Sequence, residues 1–104
     1  MSKTILNNRK RRPTHPGELL REDLLPAAGI TQTELAEMIG VSRKTVSAIV
    51  NEKQPVTVDM AHRLARVFGN SPEFWLNLQQ AVDVWDALAE NEKVYKNISP
   101  LKVA

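Results

Sequence analysis

Residues 31–51 read TQTELAEMIGVSRKTVSAIVN, from Thr31 to Asn51. Thr31 and Glu34 form a capping box, in which hydroxyl and carboxylate satisfy each other's backbone donors, so a helix starts there. Leu35, Ala36 and Ile39 fall on its inner side, and Gly40 stands where a left-handed residue ends it. Ser42 caps the next helix, over about 43–50, with Val46, Ile49 and Val50 turned inward. Two short helices joined by Gly40-Val41-Ser42 make a helix-turn-helix, in which Ala36 permits close approach while Val41 and Val46 fill the angle.

The flanking sequence extends the helical pattern in both directions. Pro16 and Glu18 suit a first turn, and Leu19, Leu20, Leu24 and Leu25 give helix one an apolar face over about 16–25, before Pro26 and Gly29 stop it. Thr57 and Asp59 open helix four, whose inner residues Ala61, Leu64, Ala65 and Phe68 follow helical spacing up to Gly69. Ser71-Pro72-Glu73 opens helix five, which can run to about Glu90. No stretch sustains a two-residue alternation. The expectation is an all-α fold: a five-helix, repressor-like domain with the helix-turn-helix at helices two and three. Val94, Tyr95, Ile98, Leu101 and Val103 are apolar, but Pro100 prevents a regular helix through them; an added strand, a short helix and a packed extended tail stay open. The division expected is a flexible basic arm (1–13), a DNA-binding and dimerisation domain (14–90) and a C-terminal tail (91–104).

Composition narrows the class further. At 104 residues, 42% hydrophobic and 25% charged, the chain has ordinary globular composition and length for one domain with a thin core. No apolar run approaches the roughly 20 residues of a membrane span, and no signal-like segment is present, so a cytoplasmic protein without a membrane partner is expected. With no cysteine, disulfides and thiolate chemistry are excluded. The arm carries Lys3, Arg9, Lys10, Arg11 and Arg12 and no acid; of the chain's 14 basic and 12 acidic residues, the remainder therefore holds nine and twelve, a net of −3. A basic arm on a mildly acidic body suits phosphate contact, or simply a solvated tail.

With the packing positions assigned, helix three presents Arg43, Lys44, Thr45, Ser47 and Ala48 outward. Arg43 or Lys44 can reach guanine O6 and N7 in a major groove, and Thr45 and Ser47 can act as short polar readers. Gln32 and Ser42 at helix starts, and Asn51 and Lys53 just past helix three, lie where phosphates are usually gripped. A solvated helix face is the plainer reading of the same residues. One such module reads only a few base pairs, so a homodimer is expected. Helix five offers two stripes for it, Phe74, Leu78, Ala81, Trp85 and Leu88 on one side and Trp75, Val82 and Ala89 beside it; Trp85, Val82 and Leu88 are the dimerisation candidates. Asp83, Asp86, Glu90 and Glu92 on the same helix form an acidic surface that is either merely solvated or attractive to a basic protein. His15 and His62 lie on different helices and no glycine-rich phosphate loop occurs, so no catalytic residue, metal site, cofactor or small-molecule substrate is expected.

Three elements together resemble the HigA family of bacterial addiction-module antitoxins, a branch of the repressor-like helix-turn-helix proteins: His15-Pro16-Gly17-Glu18, the motif from Gln32 to Asn51, and the run Ser71-Pro72-Glu73-Phe74-Trp75-Leu76-Asn77-Leu78-Gln79. The likeness covers about residues 14–90. It implies a five-helix DNA-binding dimer that binds double-stranded operator DNA ahead of its own operon and neutralises a HigB-type toxin, an RNase that cleaves messenger RNA. The family's DNA-reading positions fall on Arg43, Lys44, Thr45 and Ser47, with phosphate contacts at Gln32 and Asn51; no short motif transfers a toxin-contacting residue. Two other readings remain: a stand-alone repressor without a toxin, and a helical adaptor that binds only protein.

Overall fold

The computed structural model describes residues 11–102. Among these residues the secondary structure is five helices and no strand, as the helical periodicity implies. Helix α1 covers residues 16–28 in three continuous segments, Pro16–Leu19, a π-helical Leu20–Leu24, and Leu25–Ala28. Helices α2 (Gln32–Ile39), α3 (Arg43–Val50), α4 (Val58–Phe68) and α5 (Pro72–Lys96) follow. Helices α2 and α3 pack as the helix-turn-helix, α4 lies against α2 and α5, and α1 reaches across to α3 and α5.

The caps act as their residue types dictate. Thr31 Oγ1 accepts the Glu34 N–H at 3.0 Å while Glu34 Oε1 accepts the Thr31 N–H at 2.8 Å, completing the capping box. Gly40 ends α2 at φ 73°, a left-handed conformation that makes the sharp turn into Ser42 inexpensive. Ser42, Thr57 and Ser71 each accept a backbone N–H three residues on, opening α3, α4 and α5.

Two helix ends differ from expectation. Pro26 does not stop α1. The turn before it widens, the Leu25 N–H bonding to the Leu20 carbonyl five residues back, and the helix continues to Ala28 before Gly29 ends it. A π turn takes up the bond that proline cannot make and relieves its ring's clash with the preceding turn. It also brings Leu20 and Leu25, both buried, onto the core side. Helix α5 does not end near Glu90 but continues to Lys96 through a distortion at Asn91 (φ −126°, ψ 22°). Asn91 Nδ2 donates to the Ala87 carbonyl at 3.2 Å there. Residues 97–102 follow without regular structure and exposed; Val103 lies outside the described residues.

The core gathers around Trp75, Leu35, Leu64, Leu20 and Ile49, all at most 2% exposed. Trp75 meets Phe74 edge-on at a centroid separation of 5.4 Å and Phe68 at 5.9 Å, and its indole N–H donates to Asn70 Oδ1 at 2.8 Å. The radius of gyration, 16.8 Å, exceeds the roughly 13 Å of a compact chain of this length, and the molecule measures 56 × 23 × 23 Å. The excess is the far end of α5, where every residue from Leu88 through Lys96 is exposed.

Candidate nucleic-acid interface

Helix α3 is held by its far end, which leaves its start free. Val46, Ile49 and Val50 anchor its inner face. Gly17 of α1 sits directly against the Ile49 carbonyl, with no room for a Cβ. Arg21 Nη1 donates to the Val50 carbonyl at 2.6 Å, satisfying one of the orphan acceptors at the end of α3. Arg63 does the same for α2, donating from Nη1 to the Ile39 carbonyl at 2.6 Å while Nε bonds Asp59 at 2.8 Å. Each helix of the motif is thus capped at its C-terminus by an arginine from elsewhere in the fold.

Beyond α3 lies a charged joint. Glu52 adopts a left-handed backbone (φ 61°), the one non-glycine residue among those described to do so. Its carboxylate accepts from Arg12 Nη1 at 2.9 Å and Arg21 Nη2 at 3.3 Å. Arg12 also forks onto Asp86 of α5, Nε to Oδ1 at 2.9 Å and Nη2 to Oδ2 at 2.7 Å. The Arg12 hydrogen bonds draw the Asp86 carboxyl below its usual range. Partial burial pushes Glu52 upward, but the Arg12 and Arg21 hydrogen bonds outweigh it and the net shift is downward. Gln79, buried on α5, accepts the Val56 N–H at 2.9 Å and donates to Asp83 at 3.0 Å, so the segment between α3 and α4 is pinned to α5 as well.

At the start of α3, Arg43 and Lys44 are exposed, and neither joins an ion pair with another described residue. The first turn contains no acid. Cations at a helix N-terminus oppose the helix dipole, at a cost of roughly 0.3–1 kcal/mol each, so stability does not explain them. Such a local conflict is characteristic of a functional surface. Ser42 Oγ accepts the Thr45 N–H at 3.1 Å and shares a second hydrogen bond, 2.9 Å, with Thr45 Oγ1. Ser47 Oγ accepts from Asn51 Nδ2 at 3.2 Å, and both Thr45 and Ser47 are half-buried. These four side chains bond one another in pairs, whereas Arg43 and Lys44 extend past them. Gln32, half-buried, begins α2; Lys53 is exposed beside the joint.

The helix α5 candidates separate. Val82 is 1% exposed and lies on the inward stripe with Trp75 and Gln79, so it has no surface to offer a partner chain; of the dimerisation candidates it is the one the fold places in the core. The outer stripe keeps Leu88 45% and Phe74 39% exposed, with Trp85, Ala81 and Leu78 half-buried. Of Asp83, Asp86, Glu90 and Glu92 on α5, Asp86 is neutralised by Arg12, Asp83 is engaged by Gln79, and Glu92 pairs with Lys96 at 3.2 Å. Glu90 alone of the four has no such partner among the described residues.

The arm also divides. Arg12, counted among its basic residues, is held by Asp86 and Glu52, and Pro13 is buried. Lys3, Arg9 and Lys10 lie outside the described residues. His15 serves as the N-cap of α1, its Nδ1 accepting the Gly17 N–H at 2.8 Å, and His62 is exposed on α4. The structural roles of Arg12, Arg21, Glu52, Arg63 and Gln79 have no signature in local sequence spacing, because each reaches an element distant in the chain. No helix among the described residues is long and apolar enough to cross a membrane.

Comparison with known proteins agrees with this architecture. Residues 20–75 match the helix-turn-helix family model. The chain is 45% identical to antitoxin HigA-1 of Vibrio cholerae over 95 residues, covering 91% of this chain and 90% of that protein. The structure of Pseudomonas aeruginosa antitoxin HigA with the higBA promoter superposes with a TM-score of 0.83 at 41% identity, over 88% of this chain and all of that one. An addiction module antidote protein of the HigA family from Coxiella burnetii gives a TM-score of 0.80 at 41% identity, with coverage of 88% and 100%. The chain belongs to the HigA family of helix-turn-helix antitoxins.

Proposed function

We propose that this protein is a dimeric, operator-binding antitoxin that represses its own operon and neutralises a HigB-type messenger-RNA-cleaving toxin. The observation that carries the DNA reading is the start of α3: two exposed cations, opposed by their own helix dipole, on a helix whose inner face and far end are locked in place. In this reading Arg43 and Lys44 reach base edges, Thr45 and Ser47 assist, and Gln32, Ser42, Asn51 and Lys53 grip phosphates on either side. The relative from Pseudomonas aeruginosa whose structure includes the higBA promoter supports it. Dimerisation is assigned to the outer stripe of α5, through Trp85 and Leu88 with Phe74, Leu78 and Ala81. Two copies must present α3 about 34–36 Å apart to enter successive major grooves. The toxin partner rests on family membership.

The test is titration of duplex DNA from upstream of the gene, against an unrelated duplex, with parent protein and Arg43→Ala. A bidentate base contact predicts a loss of about 1–3 kcal/mol at the operator and little at the unrelated duplex. Equal operator affinity of the two proteins counts against base reading by Arg43. Co-expression with the adjacent gene product followed by co-purification tests the toxin partnership and separates this reading from a stand-alone repressor.

A further inference from the structure

The charged joint beyond α3 connects the helix that carries Arg43 and Lys44 to the helix assigned to dimerisation. Helix packing joins α3 to α1 and α2, and joins α5 to α1 and α4. The segment leaving α3 is tied to α5 by side chains at two further points: Gln79 links Val56 to Asp83, and Arg12 links Glu52 to Asp86. Glu52 lies two residues past the end of α3, and its other partner, Arg21, also holds the Val50 carbonyl. Asp86 adjoins Trp85 and precedes Leu88 by two residues on α5.

The charges around the joint leave no cationic surplus. Arg12, Arg21 and Lys53 stand among Glu22, Glu52, Asp83 and Asp86, so what matters is what the joint holds together. Arg12 uses all three guanidinium nitrogens, Nε and Nη2 on the two Asp86 oxygens and Nη1 on Glu52 Oε1. A lone exposed ion pair contributes little, but a planar fork shared between two carboxylates fixes their relative position. The leverage is large. Two α3 helices about 34–36 Å apart each lie roughly 17 Å from the dyad. Over that arm a pivot of about 10° at the joint moves α3 by about 3 Å, close to the ~3.4 Å rise of one base pair.

We infer that Arg12 is a positioning residue for operator recognition: by bridging Glu52 and Asp86 it fixes the angle between α3 and the dimerisation helix, and so sets the half-site spacing that the dimer accepts. The inference rests on the dimeric operator-binding reading and deepens it. Arg12 reads no base in this role; it acts through α3.

The experiment compares full-length parent, Arg12→Gln and Asp86→Asn, with circular dichroism to confirm folding. Affinities are measured for the operator, for operators with one base pair added or removed at the dyad, and for an unrelated duplex. The preference for the native spacing over the altered ones falls by about two-fold or more in both variants. Bulk charge cannot imitate this result: Arg12→Gln removes a positive charge and Asp86→Asn a negative one, so charge alone moves DNA affinity in opposite directions. A second readout needs no DNA. The chain has no cysteine, so a spin label on Lys44→Cys reports one distance between the two α3 helices of a dimer. That distance is sharply defined in the parent and shifts or broadens by about 3 Å in both variants. If the parent prefers its operator and either readout is unmoved in the variants, the inference is overturned and the operator reading stands. A change in one variant alone also overturns it. If the parent shows no operator preference yet the label distance moves in both variants, the operator reading fails and the positioning of α3 by Arg12 stands. A labelled parent with no distance between α3 helices is a monomer, which overturns both.

Discussion

Replacing Gly17 with alanine introduces a single methyl group where α1 crosses the end of α3. An ideal Cβ at residue 17 overlaps the Ile49 carbonyl oxygen, lies 2.9 Å from the carbonyl carbon, and comes within 3.2 Å of His15 Nδ1. The obstacle is backbone, which has no rotamer to swing aside, so α1 must back away from α3. That movement strains the His15 cap and the Arg21 bond to Val50 as well. Overpacking of this kind costs typically 1–3 kcal/mol. Because the clash is with a fixed carbonyl in the middle of an ion-paired joint, a loss of about 2–3 kcal/mol is expected, lowering the Tm of a domain this size by roughly 10–20 °C. Thermal unfolding followed by circular dichroism reads it directly. The intrinsic effect has the opposite sign, since alanine at an unstrained helical glycine stabilises by about 0.4–1 kcal/mol. A variant melting at or above the parent temperature therefore refutes the close approach of the two helices.

His15 makes stability depend on pH. Burial lowers its pKa below the ordinary 6.5, and its Nδ1 must remain unprotonated to accept the Gly17 N–H. A base depressed in the native state binds its proton more readily when unfolded, so stability is complete above 6.5 and declines as pH falls past it through the native value. Asp86 and Glu52, both lowered, add a second decline at more acidic pH. Denaturant melts across pH should show the first decline flattened in His15→Asn, which can keep the cap without titrating; an unaltered curve counts against the assignment. Gln79→Leu leaves the buried Val56 N–H without its acceptor and should cost about 1–3 kcal/mol. Amide exchange at Val56 should speed up correspondingly, and unchanged protection there would show that Gln79 does not pin the segment.

The helix starts were legible because each is a local event: Thr31 with Glu34, Ser42, Thr57 and Ser71 all act within three residues. So was the outward position of Arg43 and Lys44, which follows from the inward position of Val46, Ile49 and Val50. Two stopping points were misplaced for a physical reason. Pro26 breaks an α-helix, but a π turn costs less than ending a helix whose Leu25 belongs in the core. The α5 boundary near Glu90 was obscured because no proline or glycine follows until Pro100, and Asn91 bends the helix without stopping it. Val82 and Trp85 lie three positions apart on one helix, and spacing alone cannot say which stripe faces inward; α4 and α1, packing against α5, decide it. The ion-paired joint was not legible at all, since Arg12, Glu52 and Asp86 are brought together only by the tertiary fold.

The left-handed backbone at Glu52 sets two selection pressures against each other. Positions of this conformation favour glycine or asparagine, and glycine would remove a local strain on the order of 1 kcal/mol. It would also remove the carboxylate on which Arg12 and Arg21 meet at the end of α3. A survey that scores only local backbone strain would reward glycine at that position, whereas one that scores how firmly the end of α3 is tied to α1 and α5 would retain the acid.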